Sequence, residues 1–136
     1  MIELIEGLYQ SGSPDFNEVI KENIEVVVHL GELKNDFTDN ASPQRKFQYI
    51  WWPIEDGPVP DTRILNDLAD LAVGFLKEGL KVLISCAAGI NRSNLLACLI
   101  MMKFLGMDAK EAVEEIRKKN PLALINPNFY SWFIPE

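Results

Sequence analysis

At 136 residues and 48% apolar composition, the chain has enough material for one sizeable core and too little for two ordinary domains, so one domain over residues 1–136 is expected. A formal charge of −7 excludes a surface built to neutralise nucleic-acid phosphates, and the longest uncharged apolar run, Leu95 to Met102, is far short of the ~18 residues of a membrane span. The amino terminus MIELIEGLY carries two acids and no basic segment, so it does not read as a secretory signal, and a cytoplasmic protein with no nucleic-acid or membrane partner is expected.

Taken along the chain, GLYQS reads as a short strand over Leu8 to Gln10. Ser13 as a cap with Pro14 at the first helical position predicts a short helix to about Asn23. The run from Ile24, IEVVVHL, is β-branched and nearly all apolar, as in a strand covered on both faces. Residues 31–46 form a polar loop without a defined pattern, and Phe47 to Trp52 reads as another strand, stopped by Pro53. Asp61 then opens a helix in which Ile64, Leu65, Leu68, Leu71, Ala72, Phe75 and Leu76 recur at helical spacing, with Gly79 placed for a left-handed cap. KVLIS is the next strand, and the helix SNLLACLIMMKFLG follows a small-residue loop and closes at Gly106. Asp108 with Glu111 makes a capping-box-like start for AKEAVEEIRKK, which Asn120 and Pro121 end, and a last short helix begins at Asn126 with Pro127 in its first turn. The alternation predicts an α/β fold: a single compact domain with a central, mostly parallel sheet of four to five strands flanked by helices.

The chemistry concentrates in KVLISCAAGINRSNLLACL. A strand, a tight turn and a helix amino terminus let several backbone N–H groups converge on an anion, reinforced by the helix dipole. Cys86 stands at the floor of that nest, and a thiol in such a field, with a guanidinium nearby, reacts as thiolate. Arg92, six residues on, can close the ring and hold two oxygens of a phosphate with its planar fork. Ala87, Ala88 and Gly89 allow close backbone approach, Ile90 and Asn91 complete the loop, and the Ser93 hydroxyl can donate to the sulfur when it must leave again. Phosphate, sulfate or vanadate is the expected occupant. The end of a parallel strand is also where open α/β sheets bind ligands.

These residues carry a family resemblance. C-x5-R-S, as Cys86-AAGIN-Arg92-Ser93, resembles the signature loop of the cysteine-based protein tyrosine phosphatases, and WWPIEDGPVPD, ending 25 residues upstream of the thiol, resembles the segment of dual-specificity phosphatases that carries their general acid. GLYQSG, IEVVVHLGE, KEAVEEIRKKNP and PNFYSWF extend the similarity over nearly the whole chain. The resemblance implies a protein tyrosine phosphatase-like fold and a two-step transfer without metal or cofactor, acting on phosphorylated protein or peptide. Cys86 would attack phosphorus to give a phosphocysteine, and Asp56 would protonate the leaving oxygen and then serve as base for water. The loop amides and Arg92 would stabilise the equatorial oxygens. Phosphotyrosine is the expected substrate, with phosphoserine and phosphothreonine beside it; a monomer is expected.

Glu55, Asp56 and Asp61 compete for the acid's role; Asp61 is better used as a helix cap, and Asp56 matches the family position. The family commonly has His before the nucleophile, where this chain has Ser85, so the usual support for the thiolate is absent or replaced by a hydroxyl. A catalytically weak phosphopeptide-binding module is therefore an alternative, and a rhodanese-type sulfurtransferase, which also sets Cys on a loop before a helix, is another. The lysine-free AAGIN disfavours phosphoinositides, and the acidic chain disfavours RNA 5′ phosphates. Two cysteines with only His29 beside them offer neither a disulfide framework nor a zinc set, so both thiols are expected reduced. Cys98 reads as core packing rather than as a redox partner of Cys86, and His29 as a structural residue. Of Trp51 and Trp52, one belongs to the core and the other can wall the pocket. Asn126 and Asn128 read as caps of the last helix, and Arg117, Lys118 and Lys119 as a solvated helix end.

Overall fold

Four-residue strands of mostly β-branched or apolar residues build the centre of the molecule. The computed structural model describes residues 1–32 and 47–135. Its strands are β1 (Ile2–Ile5), β2 (Leu8–Ser11), β3 (Val26–His29), β4 (Gln48–Trp51) and β5 (Val82–Ser85). They form one sheet in the order β1-β2-β5-β3-β4, with only β1, paired to β2, antiparallel. β3 and β5 are buried at every position, as an apolar run without alternation requires. β1 was not expected from the sequence: only Leu4 of its residues is buried, so the edge strand leaves little pattern. The strand after Ile24 begins two residues later than expected, and that after Phe47 ends one residue earlier.

Among the described residues five helices cover the sheet: α1 (Phe16–Lys21), α2 (Thr62–Lys77), α3 (Arg92–Leu105), α4 (Ala109–Lys119) and α5 (Pro127–Phe133). Leu8, Val26, Val28, Val82 and Ile84 face one layer, packed with Leu65 and Leu76 of α2, Leu95 and Ile100 of α3, Ile116 of α4 and Phe129 of α5. Tyr9, Val27 and Leu83 face the other, under Val19 of α1. The period-two alternation of the pleat divides the two cores.

Asp61, Asp108 and Asn126 cap α2, α4 and α5 as expected, and Gly79 and Gly106 take left-handed φ of 82° and 70°. The cap of α1 differs from expectation. Asp15, not Ser13, accepts the Asn17 N–H, and Pro14 lies before the helix, because the backbone of Ser13 is engaged elsewhere. The buried stripe of α2 also differs: Leu65, Ala69, Ala72, Val73 and Leu76 are inside, while Ile64 and Leu71 are exposed. Ala69 and Val73 belong to the buried face although the apolar spacing did not single them out. Arg117 is half-buried rather than solvated: it donates to the carbonyls of Ala123 and Leu124 and stacks 4.7 Å from the Tyr130 ring, while Lys118 and Lys119 are exposed as expected, Lys119 donating to the carbonyls of Glu3 and Leu4. Among the described residues no helix is long and apolar enough to cross a membrane.

The parallel strands finish level. Ser11 pairs with Ser85, Ser85 with His29, and His29 with Trp51, so one row across the sheet marks its carboxyl edge. Cys86 is the next residue on the central strand.

Candidate active site

β5 ends at Ser85 and α3 begins at Arg92, so residues 86–91 must reverse the chain in a short arc. Gly89 makes the turn possible with a left-handed φ of 72°, and a Cβ there would meet the Gly12 nitrogen at 2.5 Å. Gly31 is equally tight, since a Cβ would lie 2.9 Å from the Ala87 nitrogen. The loops after β2 and β3 thus pack directly on the arc.

The arc's carbonyls are tied outward. Ala87 O accepts the Ser13 N–H at 3.1 Å, and Ile90 O accepts the Leu124 N–H at 3.0 Å and the Asn94 amide at 3.0 Å. Gly89 O takes donors from Gln10 at 2.8 Å, Asn120 at 2.9 Å and Asn94 at 3.4 Å. A trans peptide points its N–H opposite its C=O, so these ties aim the N–H groups of Ala88, Ile90 and Asn91 to the inside of the arc. Leu124, in a left-handed conformation with φ 61°, is held there by Arg117 and by its bond to Ile90.

Cys86 is 1% exposed at the floor of the arc. Its Sγ accepts the Gly89 N–H at 3.3 Å and lies 3.2 Å from the Ser93 hydroxyl. Arg92 is buried at the edge, and its Nη1 donates to Ile54 O and to Glu32 Oε1, each at 3.2 Å. Its place in an otherwise uncharged loop argues against pairing Arg92 with a surface acid, and the structure pairs it with Glu32 nonetheless. The Glu32 carboxyl is held below its ordinary range by its own backbone N–H and by the Arg92 guanidinium.

Ser85 is completed from the neighbouring strand. His29 Nδ1 lies 2.8 Å from Ser85 Oγ, and His29 Nε2 lies 2.8 Å from the Glu32 carbonyl. A carbonyl only accepts, so Nε2 carries the hydrogen and Nδ1 accepts from the Ser85 hydroxyl. Burial pushes the imidazole below its usual range, keeping it neutral. The position that lacks the family's histidine is thus bonded to one, reached across the sheet, and the same imidazole anchors the residue that grips Arg92.

Asp56, exposed on the loop after β4, is brought to the arc. Its Oδ2 accepts from Asn91 Nδ2 at 3.0 Å and its Oδ1 from Asn126 Nδ2 at 2.8 Å. The Asn126 N–H donates back to Asn91 Oδ1 at 2.9 Å, while Asn126 Oδ1 caps α5. Asn126 is therefore the expected cap and also a holder of Asp56; Asn128 reaches Gly57 O at 3.1 Å. Asp61 faces away from this cluster in its bonding: it caps α2 and binds Arg63 at 2.9 Å, which lowers its carboxyl to about 2. Trp52 packs on the core and Trp51 is exposed, its Nε1 donating to Gly31 O at 2.8 Å. Cys98 is buried inside α3, where desolvation pushes its thiol up to about 12.

Sequence reasoning brought Cys86, Arg92, Ser93 and Asp56 forward but missed Gln10, Glu32 and the bonding of Asn91. The available signals were a lone amide in an apolar strand and an acid just past a buried one.

Known proteins resemble this chain in sequence and in fold. The rat (Rattus norvegicus) dual specificity protein phosphatase 5 is 33% identical over 82 residues, 60% of this chain and 21% of that protein. The mouse (Mus musculus) protein tyrosine phosphatase type IVA 2 is 32% identical over 88 residues, 62% of this chain and 52% of that protein. The chain thus spans between about a fifth and a half of the length of these relatives. Among solved structures, Tk-PTP in its active form superposes with a TM-score of 0.78 at 26% identity, covering 93% of this chain and 88% of its own. Human DUSP28 gives 0.82 at 16% identity, over 98% and 93%, a likeness of fold. The dual specificity phosphatase catalytic-domain profile matches residues 8–135, and with this fold and loop the chain belongs to the dual specificity phosphatase family.

Proposed function

We propose that the protein hydrolyses phosphotyrosine, and phosphoserine or phosphothreonine, in protein substrates through a phosphocysteine intermediate. The observation that carries the reading is the inward set of loop N–H groups above Cys86, with Arg92 at the rim and Asp56 tied to the same loop through Asn91. A phosphoryl group seated in the loop meets the sulfur on its axis. Arg92 uses Nη1 to bind Glu32 and Ile54, which leaves Nε and Nη2, the other edge of the fork, to serve as two parallel donors to equatorial oxygens. In the first step a sulfur lone pair forms the S–P bond, the P–O bond to the substrate breaks, and Asp56 gives its proton to the departing oxygen. In the second, water attacks phosphorus and loses a proton to Asp56, and the S–P electrons return to sulfur. The N–H groups and the guanidinium are fixed before charge develops on the phosphoryl oxygens, the condition under which such donors stabilise a transition state most.

Asp56 is favoured over Asp61 because Asn91 and Asn126 hold it beside the loop, whereas Asp61 caps α2 and pairs with Arg63. The absence of lysine from residues 87–91 favours phosphoprotein over phosphoinositide substrates. Hydrolysis of p-nitrophenyl phosphate and of a phosphotyrosine peptide, inhibited by vanadate, is the expected result. Cys86→Ser is expected to lower turnover on the order of 10⁴-fold or more while still binding the peptide. Peptide binding without hydrolysis by the native chain at any pH from about 5 to 8 would favour the binding module instead. Sulfur transfer from thiosulfate would favour the rhodanese alternative.

A further inference from the structure

Gln10 is an amide with 1% exposure in a strand whose other residues are Leu8, Tyr9 and Ser11, and its nitrogen bonds both the candidate loop and the first turn of α3. Nε2 lies 2.8 Å from Gly89 O and 2.8 Å from Ser93 Oγ. Asn120 Nδ2, at the end of α4, shares the Gly89 carbonyl at 2.9 Å and lies 3.4 Å from Gln10 Oε1. These partners fix which way the Gln10 amide faces. A carbonyl oxygen can only accept, so the nitrogen of Gln10 faces the loop, and its two hydrogens go to Gly89 and Ser93.

The Ser93 hydroxyl has one hydrogen to give. Its oxygen is occupied by the Gln10 N–H, and the Cys86 sulfur lies 3.2 Å away. Resting on the reading of Cys86 as nucleophile, we infer that Gln10 is a positioning residue that holds the Ser93 hydroxyl with its hydrogen on the Cys86 sulfur. A thiolate so bonded is a better leaving group when the S–P bond breaks and a weaker attacker when it forms. Gln10 therefore acts chiefly on hydrolysis of the phosphocysteine.

Gln10→Glu tests this with almost no change of shape. A carboxylate oxygen in place of Nε2 accepts rather than donates, and it draws the Ser93 hydrogen off the sulfur. The rate of Cys86 alkylation by iodoacetamide against pH reads the sulfur without turnover, in the native chain, Gln10→Glu, Ser93→Ala and the double variant. Gln10→Glu is expected to move the half-maximal pH up by about one unit, a roughly tenfold loss of thiolate at a given pH below it. In the Ser93→Ala background the same substitution is expected to move it by less than half as much, because the hydroxyl through which it acts is gone. An equal shift in both backgrounds means plain charge repulsion and overturns the inference, as does no shift in either. If melting shows Gln10→Glu unfolded, Gln10→Leu takes its place: a smaller upward shift with a burst of p-nitrophenol before slow turnover is expected, and native behaviour in both overturns it. An inactive native chain would refute the phosphatase reading and leave the alkylation series to judge Gln10 separately.

Discussion

Asp56 and Asp61 are five residues apart and chemically alike, and their neighbours separate them. Asn91 and Asn126 hold Asp56 at the candidate loop, whereas Arg63 keeps Asp61 at about 2 on the helix end. Asp56→Asn is therefore expected to cost about 10²- to 10⁴-fold with phenyl phosphate, a poor leaving group, and much less with p-nitrophenyl phosphate. Asp61→Ala is expected to lower the melting temperature and leave that leaving-group dependence intact; the reverse pattern in steady-state kinetics would transfer the role. His29 gives a second prediction at this scale. Its folded value is depressed by burial, so between that value and the unfolded ~6.5 the unfolded chain binds the extra proton, and stability rises with pH through that window and is flat above it. Acidification from pH 7 to 5 should weaken the fold by up to about 1.4 kcal/mol per pH unit from this group, and His29→Gln should flatten the denaturant-melt series over the same range. Cys86, Arg92 and Ser93 were legible because they lie within one short, regularly spaced stretch. Glu32 and Gln10 reach Arg92 and Ser93 from 60 and 83 residues away, a proximity that only the strand order creates.

At the scale of elements, the glycines separate loop geometry from stability. A Cβ on Gly89 faces both a left-handed φ and the backbone of Gly12 at 2.5 Å, and that clash cannot be relieved by a side-chain movement. Gly89→Ala is expected to destabilise by about 1–3 kcal/mol and to abolish the vanadate-inhibited hydrolysis, because the arc cannot keep its shape. Gly74, in α2, has nothing within 4 Å of an added Cβ, and Gly74→Ala is expected to stabilise by about 0.5–1 kcal/mol with unchanged kcat and KM. Denaturant melts and steady-state rates on the two variants check both. Helix ends were legible where a cap residue met its expected partner, as at Asp61, Asp108 and Asn126. Ser13 misled because its N–H serves the Ala87 carbonyl, a tertiary demand with no local sign. The face of α2 was misjudged in part because Ala69 packs as core while the larger Ile64 and Leu71 stay exposed.

At the scale of the whole molecule, the strands and helices serve to bring four parallel strand ends into one row and to set Cys86 just beyond its centre. The alternation of apolar runs made the layer architecture and the parallel core legible. It could not reveal β1, the cross-sheet bond from His29 to Ser85, or the convergence of Gln10, Asn94 and Asn120 on one carbonyl, since those depend on which strand lies beside which. Most of the polar stretch over 31–46, expected as a loop, lies outside the described residues; its first two residues, Gly31 and Glu32, flank the site. The central claim is that this architecture holds a nucleophilic sulfur beneath a phosphate cradle, and rapid mixing of the protein with ³²P-labelled aryl phosphate, acid quench and peptide mapping tests it directly. Label on the peptide containing Cys86, lost in Cys86→Ser, is the predicted result; steady hydrolysis with no label on that peptide, or label on another residue, would contradict it.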